Sequence, residues 1–185
     1  PNEDGYFKTS VWKHARSRIV WLLVLMLSAT ITGAITNHFE PLISTVPLLV
    51  SFMSMLTGTG GNCGSQSSTM VIQGMAMEEI RLKDFFRVVF KEFRIALICS
   101  VILAAVNFVR IIFMYQNVKI AAIVSITLIG TVILSKLLGC MLPMLAKKIH
   151  IDPAIMSAPL LSTLVDSCST LLYFTIAMKI LNVAV

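Results

Sequence analysis

One carboxylate in this sequence stands where a carboxylate is costly. Asp166 falls within Pro159-Leu160-Leu161-Ser162-Thr163-Leu164-Val165-Asp166-Ser167-Cys168-Ser169-Thr170, a run otherwise apolar or hydroxylic. Read as part of a helix that starts at Pro153, it lies roughly 20 Å along the axis at about 1.5 Å per residue. That is near the midplane of a bilayer, where a carboxylate costs about 2.5–3.5 kcal/mol on insertion scales. Ser162, Thr163, Ser169, Thr170 and Tyr173 share its face, forming a polar stripe that must meet a partner helix or water. Pro159 has no N–H and clashes with the carbonyl of Ile155, so backbone oxygen is freed below Asp166. Freed carbonyls persist at membrane depth only where protein or a wet cavity satisfies them. Carboxylate, carbonyl oxygen and water together suit a hard cation. Without Asp166, the proline and hydroxyls read as a kink and as helix-packing groups; with it, the balance moves to an ion site.

Lys136 competes with that reading. It lies about 15 Å from the cytoplasmic end of its own apolar segment, close to the expected depth of Asp166. A direct Lys136–Asp166 pair would neutralise both groups and leave no cation site; the alternative is that Lys136 faces elsewhere. A second candidate region is Gly58-Thr59-Gly60-Gly61-Asn62-Cys63-Gly64-Ser65-Gln66-Ser67-Ser68-Thr69, inside a stretch from Pro41 to Met77 without a charged residue. It lacks the GxxxxGK[ST] pattern of a nucleotide-binding loop. Its small residues allow close helix packing, and Asn62 and Gln66 offer amide oxygens one turn apart for a pore lining. His14, His38 and His150 fall at membrane edges and read as solvated. Cys63, Cys99, Cys140 and Cys168 stand singly in apolar or small-residue surroundings and read as small hydrophobes. No Ser/His/Asp set, HExxH or paired carboxylates within one segment is present, so the sequence makes no case for an enzyme.

The elements that must position these groups are membrane helices. Of 185 residues, 57% are hydrophobic and 13% charged, and the mean hydropathy is +0.88. Soluble domains carry about 25% charge, so an ordinary soluble enzyme and a disordered chain are both excluded. The expected fold class is all-α and integral to the membrane, one pore domain over 1–185. Five spans are expected, at about 19–36, 41–73, 95–115, 120–146 and 153–178, with a Gly-rich break in the second near 58–64. Between spans two and three, Phe85, Phe86, Val89, Phe90 and Phe93 alternate with Arg81, Lys83, Arg87, Lys91 and Arg94 at helical spacing. That pattern predicts a separate amphipathic helix over 78–94, lying in the cytoplasmic interface.

Net charge is +6, which in a soluble protein would raise nucleic acid as a partner. Here the bases mark cytoplasmic loops and anionic headgroups instead. Lys8, Lys13, Arg16, Arg18, the five bases of the amphipathic segment, Lys147 and Lys148 collect on one side, against Arg110, Lys119 and Lys179 on the other. This places the N-terminus in the cytoplasm and the C-terminus outside a multi-pass protein of the cell membrane. The chain begins at Pro1 rather than Met, which suits a fragment, and no cleavable signal precedes the first span.

Two motifs carry a family resemblance. Gly60-Gly61-Asn62-Cys63-Gly64-Ser65-Gln66-Ser67 resembles the GGNxGxQS signature in the second helix of the MgtE family of magnesium channels. Asp152-Pro153-Ala154 followed by Pro159, Thr163 and Asp166 resembles the family's fifth helix, and Arg18-Ile19-Val20-Trp21-Leu22-Leu23 resembles the start of its first. The resemblance implies a homodimer with a Mg²⁺-selective pore between protomers, lined by the second and fifth helices. By it, Asp166 matches the pore carboxylate, Ser162 a main-chain carbonyl position one turn below, and Asp152 an acidic residue at the cytoplasmic mouth. It also implies a cytoplasmic regulatory domain absent from this chain. Ala158, where some relatives carry Asn, and Ser65, often Asn, depart from the family's pattern, which implies looser discrimination among divalent ions. A two-fold axis would set two Asp166 carboxylates against one divalent ion, and Mg²⁺, which dehydrates reluctantly, favours a wide hydroxyl-lined site over a tight cage.

The expected function is therefore a Mg²⁺ channel or transporter, with Asp166, Ser162, Asn62 and Asp152 as metal-site residues. Mg²⁺ enters as the transported ion. The alternative from another class is a proton- or solute-coupled secondary transporter in which Asp166 cycles its proton, with or without Lys136 as its partner. A purely structural membrane subunit is the third reading.

Overall fold

The computed structural model describes residues 5–184, leaving aside the side chains of Ile155 and Met156. Every regular element among them is helical. A short α1 (Gly5–Lys8) precedes α2 (Val11–His38), which is capped by the Ser10 hydroxyl accepting from the Lys13 N–H. Then come α3 (Glu40–Thr45), a 3-10 segment Pro47–Phe52, α4 (Met53–Ala76), a 3-10 turn Leu82–Asp84, α5 (Phe85–Tyr115), α6 (Val118–Lys148) and α7 (Pro153–Leu181). Four stretches are long and apolar enough to cross a membrane: Val11–His38, Leu82–Tyr115, Val118–Lys148 and Ser157–Leu181. The helix α4 is long enough, with 24 residues, but its Gly, Ser, Thr and Gln content dilutes its hydropathy.

The helix α6 is the centre of the bundle. The helices α4, α5 and α7 all pack on it, α4 also touches α7, and α2 lies against α7. This explains why α6 buries residues around much of its circumference whereas α2 buries none. The main apolar cluster joins Leu42, Leu49, Phe52 and Leu56 to Ile120, Val124 and Leu128 of α6 and to Tyr173 and Phe174 of α7. Fully burying side chains of this size contributes about 1.5–3 kcal/mol each where water is the alternative. Here it fixes the end of the bundle opposite the cluster of Val71, Met75, Cys140 and Met144.

Two sequence expectations are corrected. The Gly-rich segment near 58–64 does not break the second span: α4 runs through it without interruption. Gly60 and Gly64 admit neighbouring helices instead. A Cβ on Gly64 would sit 2.7 Å from the Ser135 hydroxyl oxygen and 2.9 Å from a Leu161 methyl, and one on Gly139 would strike the Gly64 carbonyl. Such small residues let helices approach where apolar burial alone supplies no drive, while an unbroken ladder keeps every backbone group satisfied. The break lies earlier, at Val46, extended at φ −133° and ψ 78°. Pro47 follows it, and a proline both pushes its predecessor out of the helical region and withholds its own N–H.

The second correction concerns 78–94. No separate interfacial helix is present there. After a reversal with Glu78 at φ 60°, the chain makes the Leu82–Asp84 turn, and α5 continues unbroken from Phe85 to Tyr115. Nothing between Arg94 and Ile95 interrupts the hydrogen-bond ladder, so the basic aromatic stretch forms the first turns of a 31-residue helix. Its aromatics still divide as an amphipathic pattern demands. Phe86 and Phe90 are exposed, while Phe85, Val88 and Val89 pack on the Val71 cluster.

Candidate functional site

Asp166 lies in the middle of α7 and opens on a cavity of about 420 Å³ lined by Ala29, Thr32, Gly33, Thr36, Asn37 and Thr163. The walls are thus α2 and α7. Thr32 and Ser167 exchange a hydroxyl–hydroxyl hydrogen bond of 2.7 Å that fastens the two helices beside the carboxylate. Thr163 donates to the Pro159 carbonyl at 3.2 Å, a back-bond within the helix to the residue one turn earlier. No hydrogen bond or ion pair engages the Asp166 carboxylate among the described residues.

Behind this face, α7 is locked to the centre of the bundle. Ser169 and Thr131 share a hydrogen bond of 2.8 Å, and the Tyr173 hydroxyl donates to the Leu49 carbonyl at 2.6 Å. That last bond ties the broken start of the second span to α7. Ser135 donates to the Gly60 carbonyl, holding α4 on α6. Hydroxyls of the sequence stripe therefore split: Ser169, Thr170 and Tyr173 are buried as packing groups, and Ser162 is exposed beside the partly exposed Asp166.

The four site candidates do not meet in one pocket within the chain. Asn62 is exposed on α4, on a face that also presents Ser54, Gly58, Ser65 and Thr69. Spaced three or four residues apart, these make one polar, uncharged strip. A cavity of about 360 Å³ joins that strip to α7, with Ser65 and Thr69 on one wall and Ala154 and Ala158 on the other. Asp152 is exposed and caps α7, its carboxylate accepting from the Ala154 N–H at 2.9 Å, a helix-start role that acidic residues commonly take. Sequence reasoning missed the α2 groups Thr32, Thr36 and Asn37 as neighbours of Asp166. The four-residue spacing of Thr32 and Thr36, with Asn37 beside Thr36, is the signal that could have found them.

Lys136 is only 3% exposed and points away from this groove. Its ammonium donates to Gln66 Oε1 at 3.1 Å and to Ser67 Oγ at 3.5 Å. Ser67 in turn donates to Glu92 Oε2 at 2.7 Å. The Lys136–Asp166 pair raised by the sequence is thus corrected: the lysine is balanced through Ser67 by a carboxylate of α5. Gln66, considered for a pore lining, is likewise committed to Lys136. Groups of three or more His, Cys, Asp or Glu side chains able to hold a metal are absent among the described residues. A hydroxyl- and water-rich path for a cation needs no such cluster.

Long apolar helices packed around α6, with a carboxylate and an uncharged polar helix face at membrane depth, define a multi-pass membrane protein. The particular kind follows from its relatives. Residues 53–176 match the family model MgtE, described as divalent cation transporter. The "Magnesium transporter MgtE" of Bacillus subtilis is 37% identical over 179 residues, covering 95% of this chain and 39% of that protein. Its namesake in Thermus thermophilus is 33% identical, over 90% of this chain and 37% of that protein. The protein of that name in Enterococcus faecalis is 29% identical, over 89% and 36%. The chain belongs to the MgtE divalent cation transporter family, and it spans under two fifths of the length of these relatives.

Proposed function

We propose that this chain is the membrane domain of a Mg²⁺ transporter, passing hydrated cations between two copies along faces supplied by α4 and α7. The observation that carries the reading is the unpartnered Asp166, the one mid-helix carboxylate among the described residues, on a bundle where the buried Lys136 is already engaged. Such a carboxylate is expensive at membrane depth unless it faces water or a counter-ion. The names of the curated relatives, each a magnesium transporter, favour Mg²⁺ as that ion.

In this reading α4 is the fifth crossing, too polar to look like one because one face lines water. Ser54, Asn62, Ser65 and Thr69 on α4 hold the hydration shell, while Ser162 and Asp166 on α7 supply carbonyl and carboxylate oxygen. Two copies related by a two-fold axis bring two carboxylates to one path, matching the charge of one divalent ion. A monovalent ion leaves their repulsion uncompensated, which is the physical source of valence selectivity. Inward movement draws on the membrane potential, about 2.3 kcal/mol per charge per 100 mV. The N-terminus and the α4–α5 connection lie on the cytoplasmic side, where the bases concentrate. A regulatory domain belongs to the part of the protein outside this chain. The family match does not favour the coupled-transporter reading, and Lys136, engaged elsewhere, is not a partner for Asp166 in it.

Mg²⁺ flux into proteoliposomes under an imposed inside-negative potential tests the proposal. Flux should saturate with Mg²⁺, need no pH gradient, and collapse in Asp166→Asn. Wild-type flux matched by Asp166→Asn would overturn it.

A further inference from the structure

Both α4 and α5 lean on α6, and between them is a crevice of about 780 Å³, separate from the Asp166 groove. Its deep end holds Lys136, Gln66, Ser67 and Glu92, whose charges and hydrogen bonds settle one another as described above. Its mouth, at the start of α5, carries Arg87 and Lys91 one helical turn apart, facing Glu79 and Asp84 of the preceding connection. The side chains of Arg87, Lys91 and Glu79 have no hydrogen bond or ion pair among the described residues. Asp84 uses one carboxylate oxygen to accept from the Arg81 N–H at 3.0 Å, leaving the other free. The remaining lining is mostly apolar, from Val71, Ile80, Val88 and Ile95, with Met70, 64% exposed, at its edge.

Charged mouth and apolar walls are the two halves of an amphiphile. Beside the mouth, Phe86 and Phe90 are 82% and 62% exposed on the same helix, a surface suited to acyl chains, so the crevice continues a lipid-facing side of the bundle. We propose that this crevice binds an ethanolamine phospholipid from the leaflet at its mouth. Arg87 and Lys91 take the phosphate through charge-assisted hydrogen bonds. Glu79 and Asp84 accept from the ammonium, and the apolar walls receive the upper acyl chain. The sign pattern selects the headgroup. Two lining bases against two lining acids leave no surplus charge for an anionic lipid or for a lone divalent cation. A choline headgroup carries no N–H to donate to the carboxylates, whereas an ethanolamine ammonium has three. Because the deep pair is internally balanced, the bound lipid does not compete with Lys136 for Glu92.

The test is lipid retention by the purified chain in nanodiscs of mixed phosphatidylethanolamine, phosphatidylcholine and phosphatidylglycerol, read by native mass spectrometry. Phosphatidylethanolamine should be enriched on the order of fivefold over its bulk share, the scale of one ordinary net hydrogen bond. The double variant Arg87→Gln/Lys91→Gln should return it to the bulk share. Glu79→Gln/Asp84→Asn should retain lipid but level ethanolamine with choline. Three of these four side chains are exposed and Asp84 is partly exposed, so the fold should survive; circular dichroism verifies this. The proposal fails if wild type shows no enrichment, if phosphatidylglycerol is preferred, or if the Arg87/Lys91 variant keeps the enrichment. Ion flux does not enter this readout, so failure here leaves the Mg²⁺ reading standing, and the converse holds.

Discussion

Asp166 and Lys136 both lie well inside long, adjacent helices, yet the bundle treats them in opposite ways. Lys136 is sealed inside, with Gln66 and Ser67 of α4 in contact and Glu92 of α5 behind Ser67. Asp166 is partly exposed in a groove of hydroxyls and carries no partner. The difference teaches that depth in the membrane does not assign a role to a charge. A charge surrounded by fixed partners from two other helices serves the architecture, and one left facing open polar space is available to a mobile ion.

The largest test of this contrast is Asp166→Asn. Mg²⁺ flux into proteoliposomes should fall on the order of a hundredfold, or about 3 kcal/mol of lost stabilisation for the moving ion. Thermal stability in detergent should hold or rise, because a deep charge has been removed. Lys136→Met should do the reverse in kind. It leaves Glu92 uncompensated and should cost about 3–5 kcal/mol of stability, read by denaturant unfolding. Adding Glu92→Gln should restore most of that loss, and a double variant no better than the single would break the comparison.

Smaller effects sharpen it. Gly64→Ala places a methyl against Ser135 and Leu161, and overpacking of this sort costs about 1–3 kcal/mol. Since α4 carries the uncharged polar strip, flux should drop along with stability. Asp152→Ala removes a helix cap and should cost about 1 kcal/mol, measured as a small fall in melting temperature. If Asp152 also meets the ion at the mouth, flux at low Mg²⁺ falls more than the cap explains, and Asp152→Asn, which keeps the cap, separates the two roles.

Several features are legible in the residues because they depend on local chemistry. Long apolar runs must be helices at membrane depth, since no water is there to satisfy the backbone. The ends of α6 and α7 therefore fall close to the expected 120–146 and 153–178. The break in the second span lies away from its expected place because glycine weakens a helix in water, whereas here Gly60 and Gly64 are required by the closeness of α6 and α7. Pro47 is the better signal, through its effect on Val46. The expected interfacial helix merges into α5 because charge pattern alone does not stop a helix, and no stop residue lies between Phe85 and Tyr115.

By itself the sequence determined the class of molecule and the approximate places of its long apolar helices, and it singled out Asp166 as a candidate, because hydropathy and periodicity are properties of neighbours along the chain. It also carried the family, through motifs of adjacent residues. Which way Lys136 turns, that α2 rather than α4 walls the Asp166 groove, and that α4 and α5 leave a crevice were decided only by tertiary structure. Those outcomes depend on helix rotation and on contacts between residues such as Lys136 and Gln66, 70 positions apart, for which no local pattern sets the partner.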